Sequence, residues 1–409
     1  MYDFVVVGAG PAGSRFARSA SERDHDVLVL ESGEIGRPLA CSGHVSRDVW
    51  EFVPDDARDR LLQNEVYGAR FHLGGADGGG DRREPSDERA GGAERRHTSD
   101  EARPTESDSG AASGRSERRE RRHASQDGYA FYKDEPVSNV IDRVGLDETL
   151  ADRAREAGAE VRDGHTVTRV DEGPDGVAVT ARGPDGTESF EGRMVVGADG
   201  PRSKVRDEVG LPEPDELLHG VLGFEDGADD GDRVDVHLTV PRFFAWRIPR
   251  GDAGAEYGLA VAPGDDAPGR FEALLDDYGV DVERRCSGAI PIGPPDRTVG
   301  RRSLLAGDAA AQTKPFTGGG ILYGMRAADI AARKVDPRRP ATLDDYERAW
   351  REELRTDQRL GSLVRAGYSM PEPVQRAGLR AFSGEIAVHM DRPTSLFSRA
   401  QLRALLSWG

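Results

Sequence analysis

The stretch Tyr2–Leu30, which reads YDFVVVGAGPAGSRFARSASERDHDVLVL, decides the fold. The apolar run at 2–7 predicts a buried strand, residues 12–23 predict a helix, and the apolar run at 27–30 predicts a second strand. A strand, a helix and a parallel strand in this order form a βαβ unit. The glycine pattern G-x-G-x-x-G lies between the first strand and the helix, which is the context that a dinucleotide-binding fingerprint requires.

Each residue of this fingerprint has a physical role. Gly8 permits the tight turn, Gly10 lets backbone N–H groups approach a pyrophosphate, and Gly13 lets the helix pack closely on the strand. The helix N-terminus offers its dipole to the phosphates. Glu31 follows the second strand, at the spacing expected for an acid that accepts hydrogen bonds from ribose hydroxyls. These residues alone leave both NAD and FAD open.

The rest of the chain predicts an α/β protein with two domains. Gly/Pro/Asp turns at 173–176 and 183–186 separate short strands and predict a β-meander, while strand-like runs between 217 and 292 predict an antiparallel sheet. Residues 140–158 and the region after Gly307 are helical in pattern. We expect a discontinuous Rossmann-like cofactor domain (1–73, 128–210 and 296–340), an antiparallel-sheet substrate domain (211–295) and a helical C-terminal region (341–409).

One segment differs sharply in composition. Residues 74–127 contain no Val, Ile, Leu, Met, Phe, Trp, Tyr or Cys, and they hold 13 acidic residues and 11 arginines. Such a segment cannot build a core, which predicts a disordered insertion in a surface loop. The alternative is a regulatory or partner-binding arm.

The charge excludes some functions. The 409 residues carry a net charge of −18, which argues against electrostatic binding of nucleic acid or a polybasic membrane anchor. Only four of the 56 basic residues are lysines, and this acidic, lysine-poor composition indicates a high-salt cytoplasm. The two cysteines lack zinc-ligand spacing, so no metal site is expected. No signal peptide or spanning segment is apparent, so we expect a cytoplasmic protein.

Two later motifs bear on the cofactor. Residues 195–203 (VVGADGPRS) and 304–310 (LLAGDAA) are each an apolar run followed by a Gly/Asp turn, and the second continues to the triple glycine 318–320 ahead of a predicted helix. In this order, the motifs resemble those of the glutathione-reductase-type flavoproteins, which include the aromatic hydroxylases. The resemblance implies FAD. A carboxylate at Asp308 suits ribityl hydroxyls, and the helix N-terminus after Gly320 suits negative charge on a reduced flavin.

Within that superfamily, the chain resembles the geranylgeranyl reductase family, including the archaeal digeranylgeranylglycerophospholipid reductases. Residues 38–43 (PLACSG) resemble the family's P-x-x-C-x-G loop, 244–249 (FAWRIP) its Y-x-W-x-F-P motif, and 307–321 its flavin loop. Phe244 and Ile248 depart from the family pattern and bring the second motif close to the W-x-W-x-I-P of flavin-dependent halogenases. Those enzymes need an active-site lysine upstream, and no lysine precedes Lys133.

The resemblance implies site residues by matching position. Cys41, Trp246 and Phe244 would be catalytic or line the substrate tunnel, with Phe243 a further candidate for the wall. The remaining implied residues are cofactor contacts: Gly8, Gly10, Ala12, Gly13, Glu31, Cys41, Ser42, Arg143, Val167, Asp199, Asp308, Gly320 and Ile321.

The resemblance implies reduction of isolated C=C bonds in the prenyl chain of an isoprenoid lipid, with ferredoxin or NAD(P)H as electron donor. Three alternatives remain: a menaquinone side chain as substrate, an FAD-dependent monooxygenase, and a flavoprotein that binds without turnover. Residues 396–408 predict an amphipathic helix that either packs on the protein's own core or lies on a membrane surface.

Overall fold

A computed structural model describes residues 1–37, 41–73 and 128–385. The predicted insertion at 74–127, the predicted helix at 396–408 and the first three residues of the 38–43 loop lie outside these ranges.

The N-terminal βαβ unit forms as predicted and starts a seven-stranded sheet. Its parallel part has the order β8-β2-β1-β11, with β17 also paired to β11, and β10 and β9 continue from β11 as an antiparallel meander. The strands are β1 (Tyr2–Val7), β2 (Val27–Leu30), β8 (Glu160–Arg162), β9 (Thr166–Glu172), β10 (Val177–Gly183), β11 (Gly186–Gly197) and β17 (Ser303–Leu305).

Strand β1, in the middle of the parallel part of this sheet, is covered on both faces, and this explains the apolar run in its sequence. Phe4 and Val6 face one core, which includes α1 (Pro11–Ser21), whereas Val5 and Val7 face the other, beneath the meander. The ring of Phe4 meets that of Phe16 on α1 edge to face at 5.1 Å. This packing sets the glycine turn between β1 and α1 at the carboxyl end of the sheet, where α/β proteins place their ligands.

A second, eight-stranded sheet has the order β16-β12-β15-β14-β13-β5-β6-β18. Its strands between 216 and 292 pair antiparallel, as expected, but β5 joins β13 in parallel and β6 pairs with β5. The strands are β5 (Gly68–His72), β6 (Tyr129–Tyr132), β12 (Glu216–Glu225), β13 (Arg233–His237), β14 (Ala245–Pro249), β15 (Ala255–Val261), β16 (Arg284–Ile292) and β18 (Gly384–Glu385). Residues on both sides of the 74–127 segment thus belong to this sheet.

A small third sheet lies between the two and has the order β3-β7-β4. It comprises β3 (His44–Ser46), β4 (Leu62–Val66) and β7 (Ser138–Ile141). The prediction of a helix from residue 140 was wrong at its start, because Val140 and Ile141 belong to β7. The helix begins at Arg143, where the side chain of Asp142 caps it by accepting a hydrogen bond from the backbone N–H of Val144.

Helices cover the sheets and form most of the C-terminal region. In order after α1 they are α2 (Asp55–Leu61), α3 (Arg143–Glu156), α4 (Lys204–Glu208), α5 (Ala267–Tyr278), α6 (Ile321–Lys334), α7 (Leu343–Gly367) and α8 (Glu372–Phe382). None of the helices within the described ranges is both long enough and apolar enough to span a membrane.

Candidate active site

A single cavity of about 1140 Å³ runs from the glycine turn to the second sheet and to α7 and α8. It brings together all but two of the residues that the sequence implied for the site. The exceptions are Gly13, which is buried behind the turn, and Phe243, which is described below. The implied residues on the cavity wall are Gly8, Gly10, Ala12, Glu31, Cys41, Ser42, Arg143, Val167, Asp199, Phe244, Trp246, Asp308, Gly320 and Ile321.

The three glycines of the fingerprint have the geometry that their roles require. Gly8 has a φ of 99°, and a Cβ there would lie 2.4 Å from the carbonyl oxygen of Ala198. A Cβ on Gly13 would lie 2.0 Å from the carbonyl oxygen of Gly8, so only glycine permits this close packing. A Cβ on Gly10 would meet nothing within 4 Å, which leaves open space on the cavity side of the turn.

Glu31 lies directly beside this turn. Its Oε2 accepts a hydrogen bond from the backbone N–H of Ala9 at 2.6 Å, and its Oε1 accepts one from the N–H of Ser32 at 2.9 Å. The carboxylate is therefore fixed at the edge of the cavity by main-chain donors from the glycine turn after β1 and from the residue that follows Glu31 in the loop after β2.

Asp308 and Gly320 lie next to each other at the two ends of the predicted flavin loop. Asp308 lies in a 3₁₀ turn after β17, and a Cβ on Gly320, at the N-terminus of α6, would lie 2.4 Å from its Oδ1. Burial raises the pKa of Asp308 to about 6, although the charge of Arg143 opposes the shift. Its carboxylate is thus held at a helix N-terminus and inside the cavity.

Asp199 has a structural partner of its own. Its carboxylate accepts hydrogen bonds from the hydroxyl of Ser203 at 2.6 Å and the N–H of Val205 at 3.0 Å. These contacts hold the start of α4 against β11. Asp199 shapes the wall of the cavity through this turn.

Arg143 is a buried cation on the cavity wall, with 5% of its surface exposed. Its Nη2 donates to both carboxylate oxygens of Asp147, at 2.8 and 2.9 Å, and its Nη1 lies 3.7 Å from the Sγ of Cys41. Its Nε is buried and has no hydrogen-bond partner among the described residues. Burial raises the pKa of Cys41, with Arg143 opposing the shift, so the thiol is protonated at neutral pH.

These features fit an FAD. The open space at Gly10 suits a pyrophosphate, Glu31 suits ribose hydroxyls, and Asp308 beside a helix N-terminus suits a ribityl chain. The orphaned Nε of Arg143 offers a further donor.

The far part of the cavity has apolar walls. The side chains that the second sheet presents to it share this character, and they are joined by residues of α7 and α8. They include Ala69, Phe71, Leu222, Val234, Val236, Phe244, Trp246, Ile248, Ile290, Val364, Met370, Val374 and Leu379. Such a wall suits a long hydrocarbon.

The aromatic residues of the FAWRIP motif differ in position. Phe244 and Trp246 line the cavity, with ring centroids 5.7 Å apart. Phe243, which the sequence offered as a third wall residue, does not line it, because its ring stacks behind that of Phe244 at 4.4 Å and is 1% exposed.

Sequence reasoning missed several polar residues of the site. Asp147 was detectable, because it follows Arg143 at i,i+4 on one helix. Glu256 and Arg250 belong to none of the motifs found in the sequence. Lys314 also lines the cavity, and burial lowers its pKa to about 7. It lies within the flavin-loop motif, but a buried lysine has no spacing signature.

His44 also lines the cavity. Its Nε2 is 2.8 Å from the hydroxyl of Ser138, and burial, with a contribution from Lys314, lowers its pKa to about 4. The imidazole is therefore neutral at pH 7 and is a poor general acid there.

Comparison with known proteins agrees with this geometry. Residues 92–225 match a family described as an FAD binding domain. The digeranylgeranylglycerophospholipid reductase 1 of Methanopyrus kandleri is 29% identical in an alignment of 388 residues that covers 87% of this chain and 87% of the relative. The chain is similar in sequence to the digeranylgeranylglycerophospholipid reductases. The resemblance inferred from the motifs is thus confirmed, as is the prediction of FAD.

Solved structures support the fold of this chain. A geranylgeranyl bacteriochlorophyll reductase-like protein of Thermoplasma acidophilum superposes with a TM-score of 0.73 at 21% identity and covers 99% of this chain and 95% of its own. The p-nitrophenol 4-monooxygenase of Pseudomonas putida superposes with a TM-score of 0.66 at 18% identity and covers 100% and 97%. Both likenesses concern the fold and confirm the predicted α/β class.

Proposed function

We propose that the protein is an FAD-dependent reductase that saturates the isolated C=C bonds of geranylgeranyl chains in an archaeal membrane lipid. One observation carries the proposal: the residues that fit FAD and an extended apolar wall line the same cavity. The names of the curated relatives indicate the lipid rather than a menaquinone side chain as substrate.

The substrate sets the demands on the site. An isolated alkene offers no carbonyl to polarise, so the protein accelerates its reduction chiefly by orienting the chain and excluding water. Phe244 and Trp246 would hold the alkene, while Val234 and Val236 extend the apolar surface along the next strand. The buried sheet wall thus selects for hydrocarbon.

The residues at the cofactor end have separate tasks in this proposal. The glycine turn and Glu31 bind the dinucleotide, while Arg143, Asp308 and Gly320 bind its flavin half, alongside the other contacts implied by sequence. Bound FAD in its reduced form supplies a hydride to one alkene carbon, and the other carbon takes a proton.

Cys41 is our candidate for the proton source. Its half-buried thiol lies on the cavity wall, and its raised pKa keeps the proton on Sγ at neutral pH. The adjacent guanidinium of Arg143 stabilises the thiolate that forms when the proton leaves. His44 does not fit this role, because its imidazole carries no ionisable acid proton near pH 7.

We further propose that the lipid enters from a membrane surface at the end of the cavity formed by α7 and α8. Met370 and Val374 line the cavity and are also 45% and 50% exposed, and nearby Leu363 is 67% exposed. Exposed apolar side chains at a cavity mouth suit contact with lipid. Ferredoxin or an NAD(P)H-dependent partner would re-reduce the flavin in the cytoplasm, and the acidic surface suits high salt.

An anaerobic single-turnover experiment tests the function. The holoprotein in molar salt is reduced with a stoichiometric amount of dithionite and mixed with vesicles of digeranylgeranylglycerophospholipid. We expect the flavin to reoxidise with this lipid and to stay reduced with its fully saturated counterpart. Reoxidation with neither lipid, or hydroxylation of the lipid in air, would overturn the proposal, and the second result would favour a monooxygenase.

A further inference from the structure

We propose that Glu256 and Arg250 are positioning residues that tie the cavity tryptophan, Trp246, to the Cys41–Ser42 loop. The inference deepens the proposed function, because it assigns to a buried ion pair the task of fixing the substrate wall relative to the candidate proton donor.

A continuous chain of hydrogen bonds makes this connection. The indole Nε1 of Trp246 donates to Oε1 of Glu256 at 3.0 Å, and Nη1 of Arg250 donates to Oε2 of the same carboxylate at 2.8 Å. The same Nη1 donates to the backbone carbonyl oxygen of Ser42 at 3.3 Å. Its Nη2 donates to Oε1 of Gln63 at 2.7 Å, which fixes the plane of the guanidinium.

The carboxylate, the guanidinium and the indole of this chain are withdrawn from water, whereas Ser42 and Gln63 are half-buried. Glu256 is 0% exposed, Arg250 is 5% exposed and Trp246 is 8% exposed. The desolvation of a buried ion pair largely offsets its attraction, so such a pair is weak evidence for a role in stability. What the planar guanidinium does provide is a fixed geometry, since it donates to three groups in defined directions.

The tryptophan ring is confined from its other side as well. A Cβ on Gly258, which pairs with Trp246 across β14 and β15, would lie 2.4 Å from the indole ring. The ring therefore lies directly on the glycine backbone. Because Glu256 fixes its N–H edge and Gly258 fixes its face, the orientation of Trp246 depends on the carboxylate.

The loop at Cys41 is held by two arginines from different parts of the fold. Arg143 of α3 contacts the thiol of Cys41, and Arg250, just after β14, holds the next carbonyl oxygen. A change at Glu256 would therefore reach both the substrate wall and the thiol. Neither effect requires contact between Glu256 and the substrate.

The same sheet contains a matched control. Arg247 neighbours Trp246 on β14, so its side chain lies on the opposite face. There it pairs with the half-buried Asp229 and, at 3.5 Å, with Asp235. None of these three charged residues lines the cavity. Removing the charge of Asp229 tests the cost of weakening an arginine–carboxylate contact in this sheet without disturbing the cavity wall.

The experiment compares Glu256→Gln with Asp229→Asn in the FAD-loaded, full-length protein. For Glu256→Gln we expect kcat for the geranylgeranyl lipid to fall about 10- to 100-fold with a smaller change in KM, because alignment rather than binding is lost. Indole emission, taken as the difference from the same protein with Trp246→Phe, should shift, and the visible spectrum of bound flavin should change. Asp229→Asn should change none of these more than about twofold.

A purely structural role predicts a different pattern. If both variants lost kcat in proportion to their loss of thermal stability, or if Glu256→Gln left emission and kcat unchanged, the proposal would be overturned. Arg250→Lys should separate the two contacts, because an ammonium can pair with Glu256 but cannot also reach Ser42 and Gln63 in the same geometry. This variant should keep the wild-type indole emission and have a lower kcat. Indole emission and the visible flavin spectrum are both measured without substrate. A failed reductase assay would therefore contradict the proposed function, while the two spectra would still test the role of Glu256.

Discussion

The Nη1 of Arg143 lies 3.7 Å from the Sγ of Cys41, although 102 residues separate them in the chain. The contact joins the start of α3 to the loop after β2. It places a buried, permanently charged guanidinium beside a half-buried thiol, and Asp147 accepts two further hydrogen bonds from that guanidinium. The site thus combines a proton-bearing sulfur with a fixed cation.

The first prediction concerns Arg143. Arg143→Gln removes the partner of buried Asp147, so we expect a loss of about 3 kcal/mol in the free energy of unfolding and a weaker affinity for FAD. Arg153→Gln on the same helix breaks an exposed pair with Glu156 and should cost less than about 0.5 kcal/mol. Denaturant unfolding and FAD titration measure both. Equal losses in the two variants would refute a special role for Arg143.

The second prediction concerns the thiol. Cys41→Ala should lower the single-turnover rate of flavin reoxidation about 100-fold or more and leave flavin content intact, because it removes the proposed proton source. Since burial raises the pKa of Cys41, the wild-type rate should stay level from neutral pH to about 9, its ordinary value, and fall only above it. Cys286→Ala is the control, because Cys286 lies on β16 and does not line the cavity. An unchanged rate in Cys41→Ala would assign the proton to another group.

The third prediction concerns Asp308 in the FAD-free protein. Burial raises its pKa to about 6 from 3.8, so between these values the folded state holds a proton that the unfolded state has lost. This contribution to stability is full below about pH 4 and is lost as pH rises through 6. Asp308→Asn should therefore be more stable than wild type at pH 7, with a difference that shrinks toward pH 4.

Urea unfolding at both pH values and constant high salt checks this prediction. The same substitution should weaken FAD binding about tenfold, because an amide accepts fewer hydrogen bonds from hydroxyls. Identical midpoints for the two proteins at pH 7 would show that the carboxylate is not desolvated.

The fourth prediction concerns residues 74–127. β5 and β6, which flank this segment, are antiparallel partners with Phe71 opposite Tyr129, so a short loop can connect them. Replacing 74–127 with a short glycine-containing turn should preserve FAD content and reductase rate within about twofold, and thermal unfolding should change little. Loss of activity with retained stability would instead support a partner-binding arm.

Much of the fold was predictable because it depends on local pattern. The βαβ unit, the meander and the strands between 216 and 292 each have a hydrophobic period or a glycine turn that marks them. The start of the helix was misplaced because the apolar residues Val140 and Ile141 suit a helix as well as a strand. They form a strand because β7 pairs with β3 and β4, a contact that local sequence does not show.

That the implied cofactor residues other than Gly13 line one cavity was predictable for a similar reason, since close approaches at Gly8 and Gly320 require glycine and so leave a motif in the sequence. The Glu256–Arg250 pair left none. Its partners, Trp246 and Ser42, meet it only through the sheet and the loop. Such a contact depends on tertiary structure, so no spacing rule could have revealed it.

The most direct test of the account is the mass of the lipid after one anaerobic turnover. The dithionite-reduced holoprotein is mixed with digeranylgeranylglycerophospholipid in molar salt, excess reductant is excluded, and the product is analysed by mass spectrometry. We expect the lipid to gain two hydrogens for each double bond that is saturated, at the same rate as the flavin reoxidises. In Cys41→Ala both the mass gain and the reoxidation should be slower. A lipid of unchanged mass, or one that gains oxygen when air is admitted, would contradict the account.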